Sequence, residues 1–139
     1  MNKKILVALD DSDFAKNVMN QALELAKFYN ATLLGVSVID TAYLVGSDES
    51  NQYLVDIWKI SYQAVIDESA KLADESVVNY THKILEGNPA EEIIKYAEKN
   101  NVEIIVVGRL GKTAAAGIPM GSVTQKVSTF SKCSVFIVK

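Results

Sequence analysis

The sequence is poor in the residues from which many functional sites are built. Its 139 residues include one cysteine, Cys133, and one histidine, His82. A lone cysteine cannot form an intrachain disulfide, and this pair does not suggest a metal cluster. We interpret Cys133 as a buried, inert thiol and His82 as a structural residue on a strand. No Ser-His or Cys-His arrangement is in view, which argues against a nucleophilic triad.

Long apolar runs and dense basic clusters are also missing. No stretch reaches the roughly 18 apolar residues of a membrane span. The beginning of the chain, MNKKILVALDD, has a short apolar run that ends in acids, which predicts a first strand rather than a signal peptide. We therefore expect a cytoplasmic protein. The net charge of −3 and the scattered lysines predict no nucleic-acid surface, although an acidic protein can still hold a local anion site.

What the sequence does contain is an alternation of buried strands and helices. Hydrophobic residues make up 49% of the chain, enough for the core of one domain over residues 1–139. Continuous apolar runs predict buried strands, and 3,4-spaced apolar stripes predict helices. The predicted strands are Lys4–Leu9, Thr32–Ile39, Val77–Glu86, Glu103–Val107 and Val135–Val138. The predicted helices are Asp13–Tyr29, one carrying the stripe from Trp58 to Ala73, one from Pro89 to about Asn100, and Ser122–Phe130.

This order predicts an α/β fold with a doubly wound, five-stranded parallel sheet and helices on both faces, a Rossmann-like architecture. The strand order expected for it is 3-2-1-4-5. The polar stretch Asp40–Gln52 is predicted to be a loop, part of which could act as a lid. Trp58 and Tyr62 are interpreted as core residues rather than a stacking platform. Asn88 is predicted to cap the third helix, with Pro89 at its first position.

The turn after the first strand is acidic, with the sequence Asp10-Asp11-Ser12-Asp13. In open α/β sheets, ligands bind at the carboxyl ends of the strands where the winding reverses. If the first and fourth strands are neighbours there, Asp10 faces the residues that follow the fourth strand. Asp10 then binds a ribose or a water-bridged Mg²⁺, or it caps the first helix, and both remain open. Asp11 or Ser12 is the predicted cap.

A glycine-rich segment between the fourth strand and the fourth helix is the most informative feature. Gly108 and Gly111 leave the strand, and Gly121 and Ser122 open the helix. Glycines allow close backbone approach, and free N–H groups at a helix start favour an anion such as phosphate. GKT at residues 111–113 lacks the earlier glycine of a P-loop, and no G-x-G-x-x-G triplet exists. The segment therefore predicts a phosphate cradle of another kind.

The spacing G-x2-G-x9-G-S resembles the ATP-binding signature of the universal stress protein family. KKILVALDDSD, LLGVSVID and SVFIVK resemble that family's first, second and last strands, so the resemblance covers the whole chain. It implies ATP, AMP or ADP as ligand, with Mg²⁺ as a possible companion. Two departures are Asp11, where many relatives have glycine, and Ala114–Ala116, where relatives often carry a basic residue; Arg109 is the compensating charge.

The resemblance also implies a role for each matching position. Asp10 would contact the ribose or a metal, and Ala8 and Val38 would line the adenine pocket. The phosphates would be bound by the remaining positions, which are Gly108, Arg109, Gly111, Lys112, Gly121, Ser122, Val123 and Thr124.

Three functions follow as alternatives. The first is an ATP-binding sensor or regulator of the stress response. The second is a slow ATPase or nucleotidyl-transfer enzyme on the same fold. The third is a dimeric interaction module with a vestigial pocket. Because Val135–Val138 is an apolar strand at a sheet edge, we expect a homodimer through that strand, and the resemblance implies the same contact.

Overall fold

The computed structural model describes residues 3–112 and 117–139. Within these ranges the chain forms one parallel sheet of five strands in the order β3-β2-β1-β4-β5. The elements in chain order are β1 (Lys4–Ala8), α1 (Ala15–Tyr29), β2 (Thr32–Asp40), a 3-10 turn (Thr41–Tyr43), α2 (Asp48–Ser76), β3 (Tyr80–Gly87), α3 (Pro89–Lys99), β4 (Ile104–Gly108), α4 (Ser122–Phe130) and β5 (Ser134–Val138).

The predicted doubly wound sheet is confirmed, and its winding reverses between β1 and β4. Alternate residues of β1 enter two different cores, as the period of a strand requires. Ile5 and Val7 pack with α1 and α2, whereas Leu6 packs with Ile105 and the helices α3 and α4. Burial on both faces explains why β1 and β4 are continuous apolar runs. It also leaves the carboxyl ends of β1 and β4 side by side, with helices above and below.

The prediction of a loop over Asp40–Gln52 is wrong. A 3-10 turn occupies Thr41–Tyr43, and α2 begins at Asp48, where the Ser47 hydroxyl accepts the Ser50 N–H at 3.2 Å. The first turn of α2 is acidic and suits the positive end of the helix dipole. Because the first residues of α2 are polar, no apolar stripe at helical spacing marks this part of the helix in the sequence. The third strand also begins later than predicted, because Val77 is the left-handed residue that ends α2.

Two predicted helix caps have opposite outcomes. Asn88 accepts the Glu91 N–H at 3.2 Å and Pro89 opens α3, as predicted. Capping of α1 by Asp11 or Ser12 is wrong, since the residue before α1 is Phe14 and no side chain caps that end. The carboxylate of Asp11 is engaged elsewhere, with α2 and the glycine segment.

His82 lies on β3 inside a chain of hydrogen bonds between β1, β2 and β3. The Ser37 hydroxyl donates to the Leu9 carbonyl at 2.7 Å, so His82 Nε2 donates to Ser37 Oγ at 2.9 Å and Nδ1 accepts from the Tyr80 hydroxyl. Gly35 makes room for this cluster, because a Cβ there would lie 2.6 Å from His82 Nδ1. Burial lowers the pKa of His82 from 6.5 to about 4, so the imidazole is neutral near pH 7. The structural interpretation of His82 fits these contacts.

Helix α2 is the longest, with 29 residues. Charged residues recur along it, so length alone does not make it a membrane segment. Over the residues that the structure describes, no helix combines the length and apolar character needed to cross a bilayer.

Candidate functional site

A cavity of about 520 Å³ opens at the carboxyl ends of β1 and β4. This is the place where ligands bind in open α/β sheets, and the volume falls within the usual range for small-molecule sites. Ten of the predicted site residues line it: Ala8, Asp10, Val38, Gly108, Gly111, Lys112, Gly121, Ser122, Val123 and Thr124. Residues from β1, β2, the glycine segment and the start of α4 therefore line the same cavity.

Asp10 joins the two sides of this cavity. Its Oδ1 accepts the Ser12 N–H at 3.0 Å, which shapes the turn after β1. Its Oδ2 accepts the Lys112 N–H at 3.0 Å, which ties the glycine segment to that turn. The expectation that Asp10 faces this segment is therefore met by direct contact. Each carboxylate oxygen has a second lone pair, so Asp10 can still accept a hydrogen bond from a ligand.

The glycines of the segment make room for the protein's own atoms. A Cβ on Gly111 would lie 2.8 Å from Asp10 Oδ2, and one on Gly108 would lie 3.1 Å from the Leu110 carbonyl oxygen and from a Val18 methyl group. Side chains at these two positions would push the segment away from β1 and α1. Gly121 is less crowded, because its nearest neighbour would be the Arg109 carbonyl oxygen at 3.4 Å.

The start of α4 presents free backbone donors to the cavity. Gly121 N donates to the Arg109 carbonyl at 2.8 Å, and the Thr124 hydroxyl donates to the Gly108 carbonyl at 2.6 Å. These two bonds hold the helix start against the end of β4. The next amides, those of Ser122, Val123 and Thr124, have no acceptor among the residues that the structure describes. Together with the helix dipole they form a site for an anion.

Arg109 is placed differently from the prediction. Its guanidinium donates to the Pro119 carbonyl at 2.8 Å and to the Ile118 carbonyl at 3.5 Å, and the residue is not among those lining the main cavity. Its backbone N–H donates to the Val138 carbonyl at 2.7 Å. Arg109 therefore braces the segment, and the structure does not bring its charge to the cavity.

The other end of the cavity is apolar and aromatic. Ala8 and Val38, the residues predicted to line an adenine pocket, border the cavity together with Val36, Val107 and Ile93. The structure also adds a wall that the sequence analysis did not predict. Its aromatic members are Tyr43, Trp58 and Tyr62, and Tyr43 packs edge-on against Trp58 with centroids 6.1 Å apart.

These aromatic residues belong to the segment mistaken for a loop and to α2. Tyr62 is buried and packs with Ile39 and Val55, as the core interpretation requires, yet it also borders the cavity. Tyr62 therefore belongs both to the hydrophobic core and to the wall of the cavity. The place of these aromatic residues in the chain could have indicated this role. They follow the carboxyl end of β2, and ligands bind at the carboxyl ends of the strands in open α/β sheets.

Lys112 forms a charged cluster between the glycine segment, the acidic turn and α2. Its Nζ lies 3.2 Å from Asp11 Oδ1 and 3.3 Å from the Tyr62 hydroxyl oxygen. Burial lowers the pKa of Lys112, but Tyr62 and Asp11 outweigh burial and leave it above its usual value. Burial likewise raises the pKa of Asp11, and the Ser61 hydrogen bond and Lys112 more than offset this, so it ends below its usual value. Both groups are charged near neutral pH.

Ser12 is a second residue whose relation to the cavity was not predicted. It borders the cavity, and its hydroxyl oxygen is buried without a hydrogen-bond partner in the described part of the chain. A buried polar atom left in this way costs free energy unless a ligand or water reaches it. Ser12 is therefore a candidate polar contact beside Asp10.

A metal ion would find few protein ligands in this cavity. Asp10 is the predicted contact, and both of its carboxylate oxygens already accept a backbone N–H. Across residues 3–112 and 117–139, no cluster of three His, Cys, Asp or Glu side chains could hold a metal ion. Mg²⁺ at this position would take most of its ligands from phosphate oxygens and water. Thr113 and the Ala114–Ala116 stretch lie outside the described residues.

The sequence model of the universal stress protein family matches residues 1–139. The chain belongs to the universal stress protein family. Among relatives of this family member, a universal stress protein of Methanocaldococcus jannaschii is 33% identical over 139 residues, covering 99% of this chain and 82% of that protein. The universal stress protein YxiE of Bacillus subtilis is 32% identical over 148 residues and covers both chains completely.

Solved structures of universal stress proteins share the fold. The structure of the protein MJ0577 superposes with a TM-score of 0.90 at 29% identity and covers 100% of this chain and 96% of that one. A universal stress protein from Archaeoglobus fulgidus in complex with dAMP gives a TM-score of 0.72 at 19% identity, covering 99% and 98% of the two chains. A family member from Arabidopsis thaliana with AMP bound gives 0.72 at 17% identity, covering 99% and 91%.

Proposed function

We propose that this universal stress protein binds an adenine nucleotide in the cavity and acts as a nucleotide-dependent sensor or regulator in a stress response. ATP is the form that its glycine signature suggests, and AMP and ADP are the alternatives. The observation that carries the proposal is that Ser122, Val123 and Thr124 line a cavity of about 520 Å³ and that their amides have no acceptor within residues 3–112 and 117–139. Family members whose solved structures hold dAMP and AMP support it.

The chemistry of the cavity matches the three parts of a nucleotide. In the proposal the base lies against Ala8, Val38 and the aromatic wall, where burial of its faces removes apolar surface from water. The ribose hydroxyls donate to Asp10. The phosphates lie at the start of α4 and along Gly108, Gly111 and Lys112. Mg²⁺ belongs to the proposal only as an ion bound to the phosphates. Both carboxylate oxygens of Asp10 already accept a backbone N–H, so Asp10 is not proposed as its main ligand.

The proposal is tested by identifying and measuring the ligand. We expect mass spectrometry of small molecules released from purified protein to find an adenine nucleotide. After its removal, calorimetry should show AMP or ATP binding with a Kd on the order of micromolar, about −8 kcal/mol. GTP is the matched control for the base and adenosine for the phosphates. Release of no adenine nucleotide, together with no heat from AMP, ADP or ATP, would contradict the proposal.

We also propose that the chain forms a homodimer through β5. This strand pairs with β4 and is an edge of the sheet. Phe136 on β5 is 39% exposed. Phe130, the last residue of α4, which is the helix before β5 in the chain, is 69% exposed. An unprotected apolar edge favours pairing with an identical edge across a two-fold axis. The same surface is the feature that favours the alternative function of a dimeric interaction module.

Sedimentation at micromolar concentration is expected to show a dimer. Phe136→Lys should shift it toward the monomer, because a lysine would have to be buried between the two edges. Phe28→Lys is the matched control, since Phe28 is 81% exposed on α1 and should leave the dimer intact. A monomeric wild-type protein would count against the proposal, as would a dimer that persists in Phe136→Lys.

A further inference from the structure

The ammonium group of Lys112 is engaged by side chains of the protein. Lys112 is the one basic residue among the described residues that line the cavity. Its Nζ makes an ion pair with Asp11 and a hydrogen bond with the Tyr62 hydroxyl. It also lies 5.1 Å from the centre of the Tyr62 ring and 6.0 Å from that of Trp58. A phosphate group can use this charge only in competition with these partners.

Asp11 is held in place from its other side. The Ser61 hydroxyl on α2 donates to Asp11 Oδ2 at 2.6 Å, while Oδ1 faces Lys112. The side chains of the ion pair are 37% exposed for Lys112 and 25% exposed for Asp11. Water and salt therefore screen the pair less than they screen a fully exposed one. The carboxylate cannot turn away from Lys112 without losing the Ser61 bond.

The charges around the cavity oppose a ligand with many negative charges. Asp10 and Asp40 line the cavity and Asp11 pairs with Lys112, so among the described residues three carboxylates stand against the one ammonium that lines it. The start of α4 can accept one phosphate through backbone donors, which carry no full charge. Further phosphates favour a cation, and the cation that lines the cavity in the described part of the chain, Lys112, is paired with Asp11.

We propose that Asp11 is a specificity-determining residue that disfavours nucleotides with several phosphates by holding the Lys112 ammonium. This inference rests on the adenine-nucleotide binding proposed above and concerns which nucleotide that cavity prefers. AMP binds through the free amides of α4 and leaves the Asp11–Lys112 pair intact. ATP must separate that pair to gain Lys112, and it leaves the Asp11 carboxylate near its own negative charge.

Calorimetry of nucleotide-free protein with AMP and with ATP, without added metal and at fixed ionic strength, tests the inference. Asp11→Asn keeps the shape of the side chain and its acceptor for Ser61 but removes the charge. We expect it to tighten ATP binding about tenfold while changing the Kd of AMP by less than about twofold. Ser61→Ala loosens Asp11 without changing its charge and should shift the ATP-to-AMP ratio in the same direction by a smaller factor.

Two further variants separate the pair from general charge effects. Asp13→Asn removes a charge from the same turn at an exposed position, and it should change the ATP-to-AMP ratio by less than about twofold. In a Lys112→Gln background, Asp11→Asn should also change the ATP-to-AMP affinity ratio by less than about twofold, because the two residues act as a coupled pair.

The inference is overturned if Asp11→Asn changes AMP and ATP affinity by the same factor, or leaves both unchanged. It is also overturned if Asp13→Asn gives the same gain, or if the gain persists in the Lys112→Gln background. In each of these cases AMP or ATP still binds, so the proposed function stands. Absence of binding by every nucleotide in every variant instead removes the proposed function, and this inference with it.

Discussion

Replacement of Ser122 by proline is expected to weaken AMP binding by about 10- to 100-fold while helix α4 remains intact. Ser122 is the first residue of α4, a position that suits proline, and Gly121 before it is already extended with ψ 154. Proline therefore keeps the helix start but removes one of the free N–H donors. A hydrogen bond to a charged group contributes about 1.5–3 kcal/mol, and about 1.4 kcal/mol corresponds to a factor of ten.

The control for this prediction is Ser122→Ala, which removes the hydroxyl but keeps the N–H. We expect its AMP affinity to stay closer to that of wild type than the affinity of the proline variant. Adenosine, which has no phosphate, should bind both variants equally well, and urea unfolding should show similar stability for both. AMP binding to Ser122→Pro with wild-type affinity would show that the phosphate is not held by the helix start.

Acid is expected to destabilise the fold through His82. Its pKa is lowered by burial from 6.5 to about 4. Between these values the unfolded chain binds a proton that the folded chain does not. The contribution is therefore fully present above pH 6.5 and is lost as the pH falls toward 4. A full proton difference changes the unfolding free energy by about 1.4 kcal/mol per pH unit, which amounts to about 3 kcal/mol over this window.

Urea unfolding at several pH values between about 7 and 4 checks this prediction against a His82→Asn variant. Carboxylates titrate in both proteins, so the difference between the two pH profiles isolates the histidine. The variant is expected to be less stable near neutral pH, because the Ser37 and Tyr80 hydroxyls lose their partner, but to lose less stability on acidification. Parallel profiles for the two proteins would be incompatible with a buried neutral imidazole.

The sequence predicts the central strands well because β1, β2 and β4 carry buried residues on both faces. Burial on both faces produces uninterrupted apolar runs such as Lys4–Leu9, and the helices between them require a parallel sheet. The glycine segment was located for a similar reason, since a Cβ on Gly108 would lie 3.1 Å from its nearest neighbours and one on Gly111 would lie 2.8 Å from Asp10 Oδ2. Both the apolar runs and the glycine spacing can be read from residues that are close together in the sequence.

What the sequence did not predict depends on contacts between distant segments. The start of α2 was missed because Asp48 and the residues after it are polar. The aromatic wall was missed because Tyr43 lies in the segment predicted to be a loop, and because Trp58 and Tyr62 were interpreted as core residues. Asp11 was assigned to a helix cap because Ser61, which binds it, lies 50 positions away in the chain. Arg109 was assigned to the phosphates through the family resemblance and its charge, whereas its guanidinium binds nearby carbonyl groups.

Several of the bonds that hold the described part of the segment after β4 are made by its main chain. The N–H groups of Arg109, Lys112 and Gly121 make the bonds that tie it to β5, to Asp10 and to itself. Because a peptide N–H is common to every residue except proline, a substitution at Lys112 would keep its main-chain bond to Asp10. The charge at the mouth of the cavity can therefore be changed at this position while the backbone contact that ties the segment to the turn after the first strand is retained.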